Sequence, residues 1–188
     1  MVCKNIFKSK LIDDYYIASD DYKIYNKIGN LKKKFNFFKR SQKSALDISS
    51  TEIVIKEFLK SKNDINILIL VQITNPFINS KHIDAAIKKF KKNNFSSLLS
   101  VVASKNFLWE NKKFSKPINY DHKKRPRTQN FKNYYVENGS FYIFYKKNFF
   151  KHNNRLHGKI GTYEMPIESY FEIDNKFELS IIRKILKK

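Results

Sequence analysis

Ile65-Asn66-Ile67-Leu68-Ile69-Leu70-Val71, running into Gln72-Ile73-Thr74-Asn75-Pro76, is the stretch from which the fold of this 188-residue chain can be read. The aliphatic run is β-rich and too short for a typical helix. A near-continuous run of that kind predicts a central strand buried on both faces. It ends abruptly at polar groups and a proline. Downstream, Ser80 to Asn93 places Ile83, Ala86, Ile87 and Phe90 at i, i+3, i+4 and i+7, one face of an amphipathic helix. Leu98 to Ala103 reads as the next strand. Strands that alternate with helices predict an α/β fold, a sheet with helices on both faces.

The rest of the chain extends this alternation. Tyr15 to Ser19 reads as a short buried strand closed by Asp20-Asp21, and Tyr22 to Lys27 as a short helix ended by Gly29. Lys32 to Lys39 alternates basic and aromatic residues, as a strand or a basic loop would. Ser49-x-x-Glu52 is a capping-box pattern opening an apolar-periodic stretch to Leu59. Phe141 to Tyr145, Gly161 to Met165 and Tyr170 to Ile173 are further strand candidates. Asn175-x-x-Glu178 caps a last helix through Leu186. No internal repeat or low-complexity linker divides the chain, so residues 1–188 read as a single domain.

Composition narrows the function classes. Hydrophobic content of 41% and aromatic content of 15% exclude a disordered chain. No apolar run approaches the ~20 residues of a membrane span, so no membrane partner is expected. Lys4, Lys8, Lys10, Asp13 and Asp14 interrupt the N-terminus too early for a secretory signal. The single cysteine, Cys3, excludes an internal disulfide and fits a reducing, cytoplasmic compartment. It falls in a terminus expected to fray, which argues against a catalytic role.

The net charge of +21 has two readings. One is a basic nucleic-acid-binding module. The other is compositional drift, because Lys, Asn, Ile, Phe and Tyr are abundant together and share AT-rich codons. Only five residues are arginine, the side chain that nucleic-acid binders use for bidentate contacts, and the lysines are scattered through every segment. Drift is the better account.

Ligands in α/β sheets bind beyond the carboxyl ends of the strands. Three polar clusters fall there: Ser19-Asp20-Asp21, Gln72 to Pro76, and Asp174. Glu172 and Asp174 are spaced i, i+2, so on a strand they share a side and could hold one hard cation. The same carboxylates would also suit the positive end of the helix that follows. Lys124-Arg125-Pro126-Arg127-Thr128-Gln129, followed by Tyr135-Val136-Glu137-Asn138-Gly139-Ser140-Phe141-Tyr142, suits a carboxylate-bearing, hydroxyl-rich ligand. Arginine offers a planar fork for a carboxylate or phosphate, and glutamine and tyrosine add neutral hydrogen bonds. His82, His122, His152 and His157 lack metal-ligand spacing and read as surface residues. Trp109 reads as edge-of-sheet packing. The chain has four glycines, Gly29, Gly139, Gly158 and Gly161, and no glycine-rich loop follows any expected strand. Nucleoside triphosphates usually need such a loop for close backbone N–H contact with phosphate.

In order along the chain, several of these segments resemble the acylneuraminate cytidylyltransferases, the CMP-sialic acid synthetases. Ile17-Ala18-Ser19-Asp20-Asp21 resembles that family's Ser-Thr-Asp-Asp strand end. Arg40 with Asp47 and Ser50-Thr51 resembles its nucleotide-binding segment, with Ser41 in place of a proline. Leu70 to Pro76 resembles Leu-Gln-Pro-Thr-Ser-Pro, with Ile73 in place of the first proline. Pro126-Arg127-Thr128-Gln129 and Asn138-Gly139-Ser140-Phe141-Tyr142 resemble its sugar-recognition segments, and Leu108 stands where the family often has Lys or Arg. His157 to Met165 resembles a later strand. Glu172-Ile173-Asp174 resembles its Asp-x-Asp metal pair.

The resemblance implies a Rossmann-like nucleotidyltransferase fold, a mixed sheet of the nucleotide-diphospho-sugar transferase type. Set against the family's pattern, residues 1–188 are expected to begin after the first βα unit, whose Ala-Arg-Gly-Gly-Ser-Lys cradles the CTP phosphates. The implied activity is transfer of CMP from CTP to a nonulosonic acid such as a sialic acid, releasing pyrophosphate. It assigns Arg127 and Gln129 to the catalytic sugar site, with Gln72, Asn138 and Tyr142 as substrate contacts. Arg40, Ser50 and Thr51 fall to the nucleotide, and Glu172 and Asp174 to Mg²⁺. A homodimer, or a complement to a missing N-terminal fragment, is the implied assembly. A non-catalytic remnant of a truncated or split gene is the alternative, and the chain alone is not expected to turn over CTP.

Overall fold

The computed structural model describes residues 1–132 and 134–186. Helix α1 (Val2–Ile6) precedes strand β1 (Tyr16–Ser19), helix α2 (Tyr22–Asn26) and strand β2 (Asn36–Lys39). Short helix α3 (Gln42–Ala45) and helix α4 (Thr51–Lys60) lead to β3 (Ile67–Val71), α5 (Ser80–Lys92) and β4 (Ser97–Ser104). A two-residue ladder of β5 (Trp109–Glu110) and β6 (Lys116–Pro117) sits in the arm before the long strand β7 (Tyr134–Tyr145). Helix α6 (Lys146–His152), strand β8 (Ile160–Glu164) and helix α7 (Lys176–Ile185) complete the chain.

The strands form a parallel pair β1-β2 and a four-stranded mixed sheet in the order β3-β7-β4-β8. β7 runs antiparallel to both β3 and β4, whereas β4 and β8 are parallel. The α/β expectation holds. Two apolar layers cover opposite faces. Ile83, Ala86, Ile87 and Phe90 of α5 pack with Val2, Ile6, Leu98, Phe141 and Ile143 in one, and Ile55, Phe58 and Leu59 of α4 pack with Tyr142, Phe144 and Phe149 in the other. Fully burying one such aromatic or branched side chain stabilises by about 1.5–3 kcal/mol, so these layers dominate the fold. The lysines of α5, Lys81, Lys88, Lys89, Lys91 and Lys92, all lie on its exposed side.

Several local expectations change. Ile67–Val71 is not central: it is an edge of the four-stranded sheet, and all five of its residues stay partly exposed. A hydrophobic run reports the helix layers above and below a strand, not whether a neighbour pairs with each edge. Tyr170 to Ile173 is not a strand. Ile167–Tyr170 is a 3-10 turn, and Phe171 to Ile173 run on without a ladder. The Ser49–Glu52 capping box does not form. Ser50 caps α4 without a side-chain bond, and Glu52 pairs with Arg155 instead. The Asn175–Glu178 capping box is complete. Lys32 to Lys39 divides into the end of a 3-10 turn, Gly29–Lys34, and strand β2. The N-terminus does not fray: Val2 and Ile6 are buried, and burial pushes the Cys3 thiol up. His157 is buried rather than at the surface, its ring stacked on His152 with centroids 5.1 Å apart.

Candidate active site

Three buried polar side chains, Asn75, Asn138 and Ser169, organise the carboxyl end of β3, and of these only Asn138 was singled out as a site residue from the sequence. Asn75, fully buried, donates from Nδ2 to the Asn138 carbonyl at 3.0 Å and to the Ser169 carbonyl at 2.8 Å. Asn138, also buried, donates to Ser169 Oγ at 2.9 Å. The Ser169 hydroxyl donates in turn to the Pro166 carbonyl at 2.6 Å. The Ile173 N–H donates to the Thr74 carbonyl at 3.0 Å. Each buried amide is thereby satisfied, as it must be away from water. Together these bonds hold residues 166–173 against the strand end.

That segment delivers Glu172 to a bulge in β7. Register shifts between Leu99 and Val101 of β4, where Asn138 and Gly139 leave the ladder. The Phe141 N–H turns to Ser100 Oγ at 2.9 Å, and Gly139 takes φ +59°. A Cβ on Gly139 would lie 2.6 Å from Glu172 Oε1, so the carboxylate occupies the space that the glycine leaves open. Thr74 Oγ1 is 3.5 Å from the other Glu172 oxygen. Burial, then the neighbouring Asp174 carboxylate, pushes the Glu172 carboxyl above its usual range, and Glu137 and Glu178 add to the rise. Asp174 is exposed beside it. Among the described residues neither carboxylate has an ion-pair partner within 4.0 Å, and no group of three or more His, Cys, Asp or Glu forms a metal cage.

Glu137 joins this end to the other face of β7. Tyr142 is 3% exposed and packs in the α4 layer, with its hydroxyl donating to Glu137. Burial first, and then that carboxylate, raises the phenol to about 12. The Arg155 guanidinium lies 4.5 Å over the Tyr142 ring and pairs with Glu52 in the first turn of α4. Thus Tyr142 sits beneath the site, in the packing, next to the turn that carries Ser50 and Thr51. Ser50 is exposed and Thr51 partly so.

Arg40 leaves β2 and turns inward, donating from Nη2 to the Ser44 carbonyl, with its buried Nε unpartnered. An open hollow of about 710 Å³ borders it, lined also by Phe38, Gln42, Glu57 and Lys60. This hollow does not include the carboxylate pair. Gln72 is partly exposed, and its N–H donates to the Ser140 carbonyl at 3.1 Å.

Arg127 and Gln129 are exposed, at the N-cap and in the middle of a 3-10 turn in the arm between β4 and β7. An aromatic cluster stiffens that arm. Phe107 sits 4.7 Å from Tyr120 and 4.5 Å from Phe131, and the Arg125 guanidinium lies 4.2 Å over Phe107. Trp109 belongs to the same cluster through Tyr120 and is 49% exposed. The structure therefore brings together Gln72, Asn138 and Glu172 with Asp174 alongside, places Tyr142 below them, and carries Arg127 and Gln129 on the arm between β4 and β7. Thr74, Asn75 and Glu137 were legible as polar residues beside quoted motifs; Arg155 carried no local signal. No helix among the described residues is long and apolar enough to cross a membrane.

Comparison with known proteins gives a consistent picture. The family profile described as cytidylyltransferase matches residues 1–188. N-acylneuraminate cytidylyltransferase B of Danio rerio is 33% identical over 141 residues, covering 72% of this chain and 33% of that protein. N-acylneuraminate cytidylyltransferase of Oncorhynchus mykiss is 29% identical over 173 residues, 88% of this chain and 39% of the relative. The chain thus spans little more than a third of the length of these relatives. Among solved structures, 4-diphosphocytidyl-2C-methyl-D-erythritol synthase from Anaerococcus prevotii superposes with TM-score 0.73 at 14% identity, covering 100% of this chain and 84% of that one. A CMP:2-keto-3-deoxy-manno-octonic acid synthetase complexed with CTP gives TM-score 0.65 at 13% identity, covering 96% and 83%. At these identities the likeness is one of fold.

Proposed function

The chain belongs to the cytidylyltransferase family along its whole length, and we propose that it serves transfer of CMP from CTP to a sialic-acid-like sugar acid. The anomeric hydroxyl attacks the α-phosphorus of CTP. A new O–P bond forms, the bond to the β-phosphate bridge breaks, pyrophosphate leaves and one proton is released. The observation that carries this reading is the Glu172 carboxylate, seated on Gly139 at the carboxyl end of β3 with Asp174 beside it.

Those residues fit a divalent cation. Two hard oxygen donors with no ion-pair partner within 4.0 Å among the described residues suit Mg²⁺, which binds one or two carboxylates and completes its shell with water and phosphate oxygens. Bound there, Mg²⁺ would neutralise charge on the triphosphate. The chain's own residues do the rest. Asn75, Asn138 and Ser169 fix the carboxylate's position, and positioning is the main lever in such a transfer. Ser50 and Thr51 at the first turn of α4, with Arg40, serve the nucleotide. Arg127 and Gln129 serve the sugar acid, the arginine as a fork for its carboxylate. The arm's exposed Leu108, Trp109, Phe114 and Ile118 support pairing with a second subunit.

Acceptor binding tests the substrate class without requiring turnover. Saturation-transfer NMR in CTP and Mg²⁺ would compare N-acetylneuraminate, 2-keto-3-deoxy-manno-octonic acid and 2-C-methyl-D-erythritol 4-phosphate. Saturable binding of the first, weaker binding of the second and none of the third is expected. Preference for the phosphate-bearing polyol would overturn the assignment.

A further inference from the structure

Glu52 has two partners within reach and takes only one. Ser49-x-x-Glu52 has the spacing of a capping box, yet Glu52 pairs with Arg155, and α4 starts one residue later than the box would place it. In the box, Ser49 is the N-cap, and Ser50, Thr51 and Glu52 are the first three helical residues. In the structure the N-cap is Ser50, extended at φ −66° and ψ 150°, with no side-chain cap bond. Ser49 is drawn the other way. Its N–H donates to the Leu46 carbonyl at 3.0 Å, and its hydroxyl donates to the Lys43 carbonyl. The Ser50 φ already suits a helix, so closing the box needs only its ψ to turn. Ser50 and Thr51 would then move inward along the helix by one position each.

A guanidinium on a rigid turn withholds Glu52 from that box. After α6, the Leu156 N–H donates to Asn154 Oδ1 at 2.8 Å and the His157 N–H to Ser97 Oγ at 3.0 Å, which ties the turn to β4. Lys56, one helical turn beyond Glu52, reaches the same turn at Asn153 Oδ1, 3.3 Å away. The stack on Tyr142 holds the Arg155 fork in place. Carboxylate and guanidinium are both ionised and mostly withdrawn from solvent, which favours this contact over a bond to a neutral backbone N–H. We propose that Arg155 is a positioning residue: by holding Glu52 it sets where α4 begins and keeps Ser50 extended ahead of the helix. The consequence for binding rests on the reading of Ser50 and Thr51 as nucleotide residues. The helix start itself does not.

Two variants release Glu52 by different routes. Arg155→Ala removes the guanidinium. Glu52→Gln removes the charge, keeps a side chain able to close the box, and leaves Arg155 on Tyr142. In both, the backbone carbon NMR shifts of Ser50 should move to helical values while those of α5 stay. Adding Ser49→Ala to either removes the competing cap and should return Ser50 to its extended shifts. A loss of packing alone is not reversed in that way. If Arg155→Ala does not fold, Glu52→Gln carries the test. Calorimetric titration with CTP and Mg²⁺ reads the consequence. A tenfold bias toward the closed box should raise the apparent dissociation constant about tenfold, and Ser49→Ala should restore it. Ser50 shifts that stay extended in either folded variant, or a change that Ser49→Ala does not reverse, would overturn the proposal. Reversible Ser50 shifts with unchanged CTP affinity, or with no CTP binding by the parent chain, would leave Arg155 setting the helix start and overturn the nucleotide role of Ser50 and Thr51.

Discussion

Gly139 and Glu172 are an interlocked pair. The glycine adopts a positive φ that L side chains rarely take, and its missing Cβ is the space that the carboxylate fills. Gly139→Ala should destabilise the protein by more than the ~1–2 kcal/mol of left-handed backbone strain, because Glu172 must also move. Urea denaturation checks this, and a loss well below 1 kcal/mol would contradict the pairing. Glu172 also makes a pH prediction. Its folded-state proton affinity is raised, first by burial and then by Asp174, so ionising it costs more in the folded than in the unfolded chain. That penalty is absent below the ordinary carboxylate range and complete above the raised value. Glu172→Gln should therefore raise Tm at neutral pH, and the gain should vanish as pH falls through the carboxylate range. Mg²⁺ should raise Tm of the parent protein and not of Glu172→Gln. A Tm difference independent of pH and Mg²⁺ would remove the carboxylate pair from the metal role.

Arg155 connects elements that are distant in sequence. It ties the segment after α6 to the first turn of α4 through Glu52, and it covers Tyr142 of β7. Both charged side chains are about four-fifths withdrawn from solvent, so the pair is not a screened surface contact. Arg155→Ala should cost about 1.5–3 kcal/mol, the range for hydrogen bonds to charged groups. A double-mutant cycle with Glu52→Gln measures the share due to the pair. Additive losses would mean that Arg155 acts through its packing on Tyr142 alone. Sequence reading placed the regular elements well where periodicity was strong, as in α5 and the Asn175-capped α7. It failed where tertiary bonds won. Glu52 leaves its cap for Arg155, and Glu172 is positioned by a turn and the Asn75–Asn138–Ser169 amides rather than by a strand. Neither partner choice is encoded in local spacing.

At the scale of the whole molecule, residue order revealed an α/β sheet and the relative order of its polar ends. It did not reveal that Ile67–Val71 is an edge of the four-stranded sheet, because edge pairing depends on which strand lies beside it. The charge of +21 is distributed over exposed lysines, as on α5, while the acidic residues Glu137, Glu172, Asp174 and Glu178 gather near one end. On the proposed reading, a site with that polarity takes a metal-bound triphosphate, and an acidic sugar then needs its own cationic contact, for which Arg127 is the proposed residue. Calorimetric titration of N-acetylneuraminate and its methyl ester, in Mg²⁺ and CTP, tests this most directly. The acid should bind saturably. Esterification, or Arg127→Ala, should each weaken binding by roughly 10-fold or more, in line with losing a hydrogen bond to a charged group, and the two losses should not add. Equal binding of acid and ester, or no effect of Arg127→Ala, would contradict the account.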